Sequence, residues 1–378
     1  MNMKPILAAL ALVASVSSVF AQLIIPSDGS DGAFSPVANI EVDLSQAVTG
    51  TWSDPSSIPS KGIYDAQKWA IVFKYASVNI PAGVTVTFKN HPSYAPVVWL
   101  VQGSVNITGT VSVNGRDGFI GVGAQTLAEP GPGGFRGGAS GLSGSGLGLG
   151  IGDGQYNVSY GNPVILPLIG GSGGAGIAAD GTNYGGGSGA GAILIATPGT
   201  IQVAGLISAI RGGGYRQGSG GAVKLIANQV IGTGSLNSST SGRVRVEANI
   251  FSPTVISTPS TIAVPPGTTP TIFQSATSPV VKIISVDGLP SPADPTAPLV
   301  SSADISIYKN TPVTVVLKTY NFATAGAVVA LRIANKHGGG GFINATLQGG
   351  GTSTESTWTV STTLAPGFVT LQARATAP

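Results

Sequence analysis

Two histidines and a scatter of carboxylates carry whatever acid–base chemistry this chain could perform. His91 lies in Asn90-His91-Pro92-Ser93-Tyr94, and His337 in Lys336-His337-Gly338-Gly339. An imidazole can act as a general base or a metal ligand, but both sequences spell surface turns. A Ser-His-Asp triad would have to use His91, and no nucleophile-elbow sequence accompanies it. Zinc sites want clustered Cys and His, and the chain has no cysteine. Glycosidases need a facing pair of carboxylates, and polysaccharide lyases need calcium-binding acids beside a basic side chain. Between Ala70 and Ile250 the acids are Asp117, Glu129, Asp153, Asp180 and Glu247. Asp117, Asp153 and Asp180 each precede glycine, which is turn spelling. Glu129 precedes Pro130 in a loop, and Glu247 falls on a strand near Arg245. No two of these acids recur at matching positions of a repeat.

The remaining motifs carry little more. Ser27-Asp28-Gly29-Ser30-Asp31-Gly32 has the spacing of a calcium loop, but it is too short for an EF-hand and lacks the terminal Glu, so tandem Asp-Gly turns are the simpler reading. Gly212-Gly213-Gly214-Tyr215-Arg216-Gln217-Gly218 opens a strand rather than a helix and is no dinucleotide fingerprint. Gly185-Gly186-Gly187-Ser188-Gly189 lacks the Gly-Lys-Ser/Thr ending of a P-loop. No catalytic, cofactor-binding or metal-binding residue is assigned, no cofactor is expected, and the chain reads as not an enzyme. Trp52, Tyr64, Trp69, Tyr94, Tyr156, Tyr160, Tyr184 and Tyr215 are candidate sugar platforms, set against core packing for the tryptophans and loop filling for the tyrosines.

The elements around these residues are strands. Gly221-Ala222-Val223-Lys224-Leu225-Ile226-Ala227-Asn228 matches Gly242-Arg243-Val244-Arg245-Val246-Glu247-Ala248-Asn249 at an offset of 21 residues. Apolar positions alternate with Lys224 and Arg245, which predicts one face in a core and the other in water. Val105-Asn106-Ile107-Thr108-Gly109-Thr110-Val111 matches Ile201-Gln202-Val203-Ala204-Gly205-Leu206-Ile207 at an offset of 96, with a degraded copy from Val230 to Ser238. Gly109, Gly205 and Gly234 coincide, as at a corner where a positive φ or a close backbone approach excludes a β-carbon. A period near 20 residues on alternating strands predicts a β-solenoid, parallel β-helix-like, over 70–251. Residues 22–69 read as an N-terminal cap. Residues 252–378, with about seven short strands near ten residues apart and Trp358 as the buried aromatic, read as an immunoglobulin-like β-sandwich. Between Gly115 and Gly191 lies a glycine-rich stretch with two readings. One is a flexible excursion with short strands such as Asn162–Ile169; the other is close sheet or polyproline-like packing that supports self-association. The leucines within it, Leu142, Leu147 and Leu149, favour the second.

Composition bounds the rest. Residues 1–21 read as a signal peptide, with Lys4, an apolar run from Ile6 to Val16, and small residues at Val19 and Ala21. An exported protein without cysteine has no disulfide staples, so burial and backbone pairing must hold it together. Only 9% of residues are charged and the net charge is +3, with no basic run interleaved with aromatics, so nucleic acid is not an expected partner. No membrane span is expected once the signal is removed. Self-association or polysaccharide are the partners left open, and the expected location is extracellular or the cell surface.

Asp28-Gly29-Ser30-Asp31-Gly32-Ala33, Val78-Asn79-Ile80-Pro81-Ala82-Gly83-Val84-Thr85-Val86, Gly103 to Val111, and Gly191-Ala192-Ile193-Leu194-Ile195-Ala196 resemble uncharacterised, secreted, glycine-rich bacterial β-solenoid-like surface proteins. The resemblance covers roughly 28–249. It implies the solenoid and the exported location, and brings no catalytic residue. The function expected from all of this is a secreted structural or adhesive surface protein, a non-catalytic scaffold able to self-assemble. The alternative is a carbohydrate-active protein, either a β-helix lyase or hydrolase or a polysaccharide-binding module.

Overall fold

The computed structural model describes residues 22–121, 127–138, 162–179, 182–252, 254–292, 304–335, 338–349, 351–367 and 369–377. Residues 1–21, expected as a signal peptide, the leucine-bearing glycine run, Asp153, Tyr156, Tyr160, Asp180 and His337 lie outside them. The described residues are all-β, with a single 3-10 turn at Leu44–Gln46.

The first sheet is parallel at its centre and its hydrogen-bond path closes. Ala70–Ile80 pairs with Val97–Val101, then Ala192–Ala196, Ala222–Ile231, Thr200–Val203 and Val105–Ile107, which returns to Ala70–Ile80. This closed ring of six parallel strands corrects the expected solenoid. The physical cause is the length of two strands, 11 residues in Ala70–Ile80 and 10 in Ala222–Ile231. Each pairs twice along its length. Ile71 to Tyr75 meets one strand and Val78 to Ile80 another; Ala222 to Ile226 meets one, and Gln229 to Ile231 another. The repeats fall in register within this architecture: Val223 pairs with Val244, Ile201 with Val105, and Ile201 with Val230.

A second parallel sheet runs in the order Ile256–Thr258, Ser235–Asn237, Leu206–Ser208, Thr110–Ser112, Thr85–Lys89, Ile40–Asp43. The chain passes from first sheet to second at Gly109, Gly205 and Gly234. A β-carbon on Gly205 would lie 1.9 Å from the Gly109 carbonyl oxygen, and one on Gly234 would lie 2.3 Å from that of Gly205. Close approach, not positive φ, is what demands glycine there.

Apolar side chains from both sheets fill a common core. Phe34, Phe73, Tyr75 and Trp99 cluster within it, with Phe73 stacked on Tyr75 at 5.4 Å and Tyr75 edge-on to Trp99 at 5.8 Å. The other face of the first sheet is also dry. Leu23, Ile25, Ile165, Leu168 and Ile272 cover Val72, Val98, Leu194 and Ile226. Burial on both faces suits the near-continuous apolar runs of these parallel strands. It also corrects the expectation that Lys224 faces water, since that side chain is 1% exposed. Asn162–Ile169, expected as a strand, is an irregular segment that supplies part of this cover.

The C-terminal residues form two antiparallel sheets. One has five strands, in the order Leu289–Pro290, Val280–Val286, Val313–Tyr320, Glu355–Thr362, Thr346–Gln348; the other has three, Gly338–Asn344, Val328–Asn335, Val369–Thr376. Five and three strands replace the four and three of the constant immunoglobulin type, so the immunoglobulin-like expectation is corrected. Asp304 to Ile307, expected as a strand, forms no strand pairing among the described residues, although Ile305 and Ile307 rest on the shared core. Trp358 is buried in that core and donates from Nε1 to Thr319 Oγ1 at 3.0 Å.

Candidate functional site

Two features stand out from the surrounding sheets: a glycine bundle, and a cleft beside it. In the bundle, residues 185–192 send their N–H groups outward in three directions. Gly185, Ser188 and Gly191 donate to the carbonyls of Phe119, Arg116 and Val113. Gly186, Gly189 and Ala192 donate to Gly138, Phe135 and Pro132, while Gly187 and Ala190 donate to Arg216 and Ser219. A strand alternates between two sides. A period of three is that of the polyproline II helix, which makes no internal hydrogen bonds and leaves every N–H for a neighbour. The segment also accepts from Gly171, Gly174, Gly212 and Tyr215. Glycine is required because the backbones touch: a β-carbon on Gly189 would lie 1.6 Å from the Gly171 carbonyl oxygen. Ser188 is the polar exception. Its buried hydroxyl accepts from Arg116 N at 2.7 Å and reaches the Glu129 carbonyl at 2.8 Å.

The cleft has a volume of about 620 Å³ and opens between the end of the second sheet and this bundle. Glu41 and Lys89 come from paired strands, Asn90 to Tyr94 from the turn that follows, and Asn114, Arg116 and Glu129 from the approach to the glycine segments. Tyr94 has a φ of +53°, uncommon for a bulky residue. It turns the chain so that its N–H bonds the His91 carbonyl at 2.8 Å. The His91 ring lies 4.2 Å from that of Tyr64, and its Nδ1 accepts from Ser93 N at 3.1 Å. With Nδ1 as acceptor the neutral ring carries its proton on Nε2, which makes no hydrogen bond among the described residues.

The charges of the cleft are paired. Glu41 lies 4.0 Å from Arg116, Glu129 lies 3.2 Å from Arg136, and Lys89 lies 2.9 Å from Asp43. The Ser45 hydroxyl, then the Lys89 ammonium, hold the Asp43 carboxyl at about 2. Asn90 Nδ2 donates to Glu129 Oε1 at 3.0 Å and to the Pro130 carbonyl at 2.7 Å, while its Oδ1 is buried without a partner. Burial raises Tyr94, whose hydroxyl meets Arg136 and Glu129.

Burial pushes His91 below its ordinary value of 6.5. The folded chain therefore resists a proton that the unfolded chain accepts. Above the ordinary value both states are neutral; as the pH falls through it towards the folded value, stability is lost. His91→Phe keeps a ring against Tyr64 and removes the titration. A plot of Tm against pH should therefore fall less steeply below about pH 6.5 in the variant. Parallel curves would refute the assignment.

The residues singled out from sequence divide accordingly. His91, Tyr64, Tyr94 and Glu129 meet at the cleft. Asp117 accepts from Gly213 N at 2.6 Å, and Glu247 pairs with Lys224 and Arg245 away from the cleft. Asp31 is consumed by Ser56 Oγ, Lys74 N and Gly62 N, so the Asp-Gly turns are a structural knot. Trp69 is buried and donates from Nε1 to the Ser93 carbonyl, and Trp52 packs on Phe273. Tyr184 is half-buried in the small sheet with Ile120 and Ile177, and Tyr215 is exposed beneath Arg216. Glu41, Asn90, Asn114 and Arg116 were missed as site residues. The one signal available for any of them was the opposite charge at Asp43 and Lys89, which pair across neighbouring strands. Among the described residues no group of acids and histidines is arranged to hold a metal, and no helix is long and apolar enough to cross a membrane. No family model, curated protein or solved structure matches the chain.

Proposed function

We propose that this chain is an exported, non-catalytic scaffold of structural or adhesive type, with polysaccharide or further copies of itself as partners and no role in binding nucleic acid. The observation that carries this reading is the glycine bundle. Its backbone is fixed by hydrogen bonds in three directions and its neighbouring chains touch, an arrangement that supplies stiffness rather than reactive groups. The carboxylates support the same reading, because Glu41, Glu129 and Glu247 each sit in an ion pair. The closed parallel ring adds a body dry on both faces of its sheet.

Incubation of the purified protein with a panel of neutral and acidic polysaccharides should release no shortened product. Cleavage of any of them would overturn the scaffold reading. Electron microscopy at high protein concentration is expected to show ordered assemblies, and uniformly dispersed monomers would remove self-association from the proposal.

A further inference from the structure

We infer that the cleft lined by Asn90, His91 and Arg116 is a binding site for an uncharged saccharide chain, which deepens the adhesive reading above and rests on it for its biological sense. The volume of about 620 Å³ lies within the range of small-ligand sites. Its charged groups already face opposite charges: Arg116 with Glu41, Glu129 with Arg136, Lys89 with Asp43. An ionic ligand would have to displace one of these partners. A polyhydroxyl ligand would not, since carboxylates and guanidinium groups in a pair retain lone pairs and N–H groups for hydroxyls.

One uncommitted group anchors the recognition. His91 Nε2–H is a neutral donor, in that tautomer because Nδ1 accepts from the Ser93 N–H. Asn90 is part of the wall, its Nδ2 held by Glu129 and Pro130 and its Oδ1 closed off from solvent. The imidazole donor and the spare carboxylate lone pairs of Glu41 and Glu129 suit the hydroxyls of a sugar ring, each of which both gives and takes a hydrogen bond. Pro92 is exposed on the lining of the same cleft and offers apolar surface to the C–H face of a pyranose. The cleft is not fully enclosed, so a saccharide longer than one ring can extend beyond it.

Calorimetric titration of the full chain with cellohexaose, maltohexaose, mannohexaose and N-acetylated chitohexaose, with hexagalacturonate as the ionic comparison, tests this. Saturable binding of at least one uncharged hexaose is expected. His91→Phe and Arg116→Ala should each weaken it about tenfold or more, and Lys318→Ala in the C-terminal module should leave it unchanged. The Arg116 side chain is 74% exposed, so its removal tests the cleft without disturbing the core. The inference is overturned if no uncharged hexaose binds in the millimolar range, if hexagalacturonate alone binds, or if both cleft variants bind as the parent does. Shortened sugars in the titrated sample would defeat the non-catalytic reading while leaving the saccharide site standing.

Discussion

Gly189→Ala is expected to cost more than about 4 kcal/mol, well beyond the usual range for a single substitution. The added methyl carbon would fall 1.6 Å from the Gly171 carbonyl oxygen and 2.1 Å from its carbon. Neither is a side chain that can swing aside. Residue 189 must therefore separate from residue 171, and the contacts on its other sides go with it. Gly189 N donates to Phe135 at 2.9 Å, Gly131 N reaches the Gly189 carbonyl at 3.3 Å, and Gly171 N donates to Ala190 at 2.7 Å. Each such bond contributes about 1 kcal/mol net, and more if it is left buried and unmade. Gly199→Ala is the control. Its β-carbon would meet nothing closer than Thr197 Oγ1 at 3.8 Å, so a change within about 0.5 kcal/mol is expected. Urea denaturation of the two variants beside the parent settles the matter. A loss below about 1 kcal/mol for Gly189→Ala would mean the segments are not held backbone to backbone.

The same close packing explains which features could be read from sequence. In-register parallel pairing places equivalent residues side by side, so it leaves copies at constant offsets. Val223 over Val244 and Ile201 beside Val105 were therefore visible, as were the glycines that turn the chain between sheets. Closure of the ring was not visible, because it depends on Ala70–Ile80 and Ala222–Ile231 each serving two neighbours, and copies at constant offsets show which residues match without showing that one unbroken strand carries two of them. The burial of Lys224 was hidden for a different reason. Leu23, Ile165 and Ile272 cover its face from remote points in the chain, and none of them belongs to a repeat. The cleft is the extreme case. Glu41, His91, Arg116 and Glu129 are isolated residues, and only the fold brings them together. In the C-terminal module the strands were largely legible from alternation, but their division into five and three is a matter of pairing, which alternation does not encode.

Glu247→Gln should destabilise the protein by about 3–5 kcal/mol, the cost of leaving a buried charge without its counter-ion. In the parallel register Lys224 lies directly opposite Arg245, an arrangement of like charges that a sheet disfavours. Glu247 resolves it, with Oε1 3.4 Å from Lys224 Nζ and 2.6 Å from Arg245 Nε. The remaining partners of Lys224 are the carbonyls of Val164 at 3.1 Å and Thr271 at 3.5 Å. Burial already pushes the Lys224 ammonium down, against the pull of Glu247; the neutral amide would let it fall further. A base whose folded value is depressed loses stability as the pH drops below its unfolded value. The deficit of Glu247→Gln should therefore shrink as the pH is raised towards 10.5, the ordinary lysine value. Adding Lys224→Met, which keeps most of the stem volume, should recover much of the loss at neutral pH, because the uncompensated charge is gone. A double-mutant cycle by urea denaturation at neutral and alkaline pH reads both effects. If the single and double variants are equally unstable, the Lys224 charge is not what Glu247 answers. The carbonyls that Lys224 holds belong to the 162–168 segment and to the stretch leading into the C-terminal sheets, so this one ammonium ties the ring to both of the segments that keep its outer face dry.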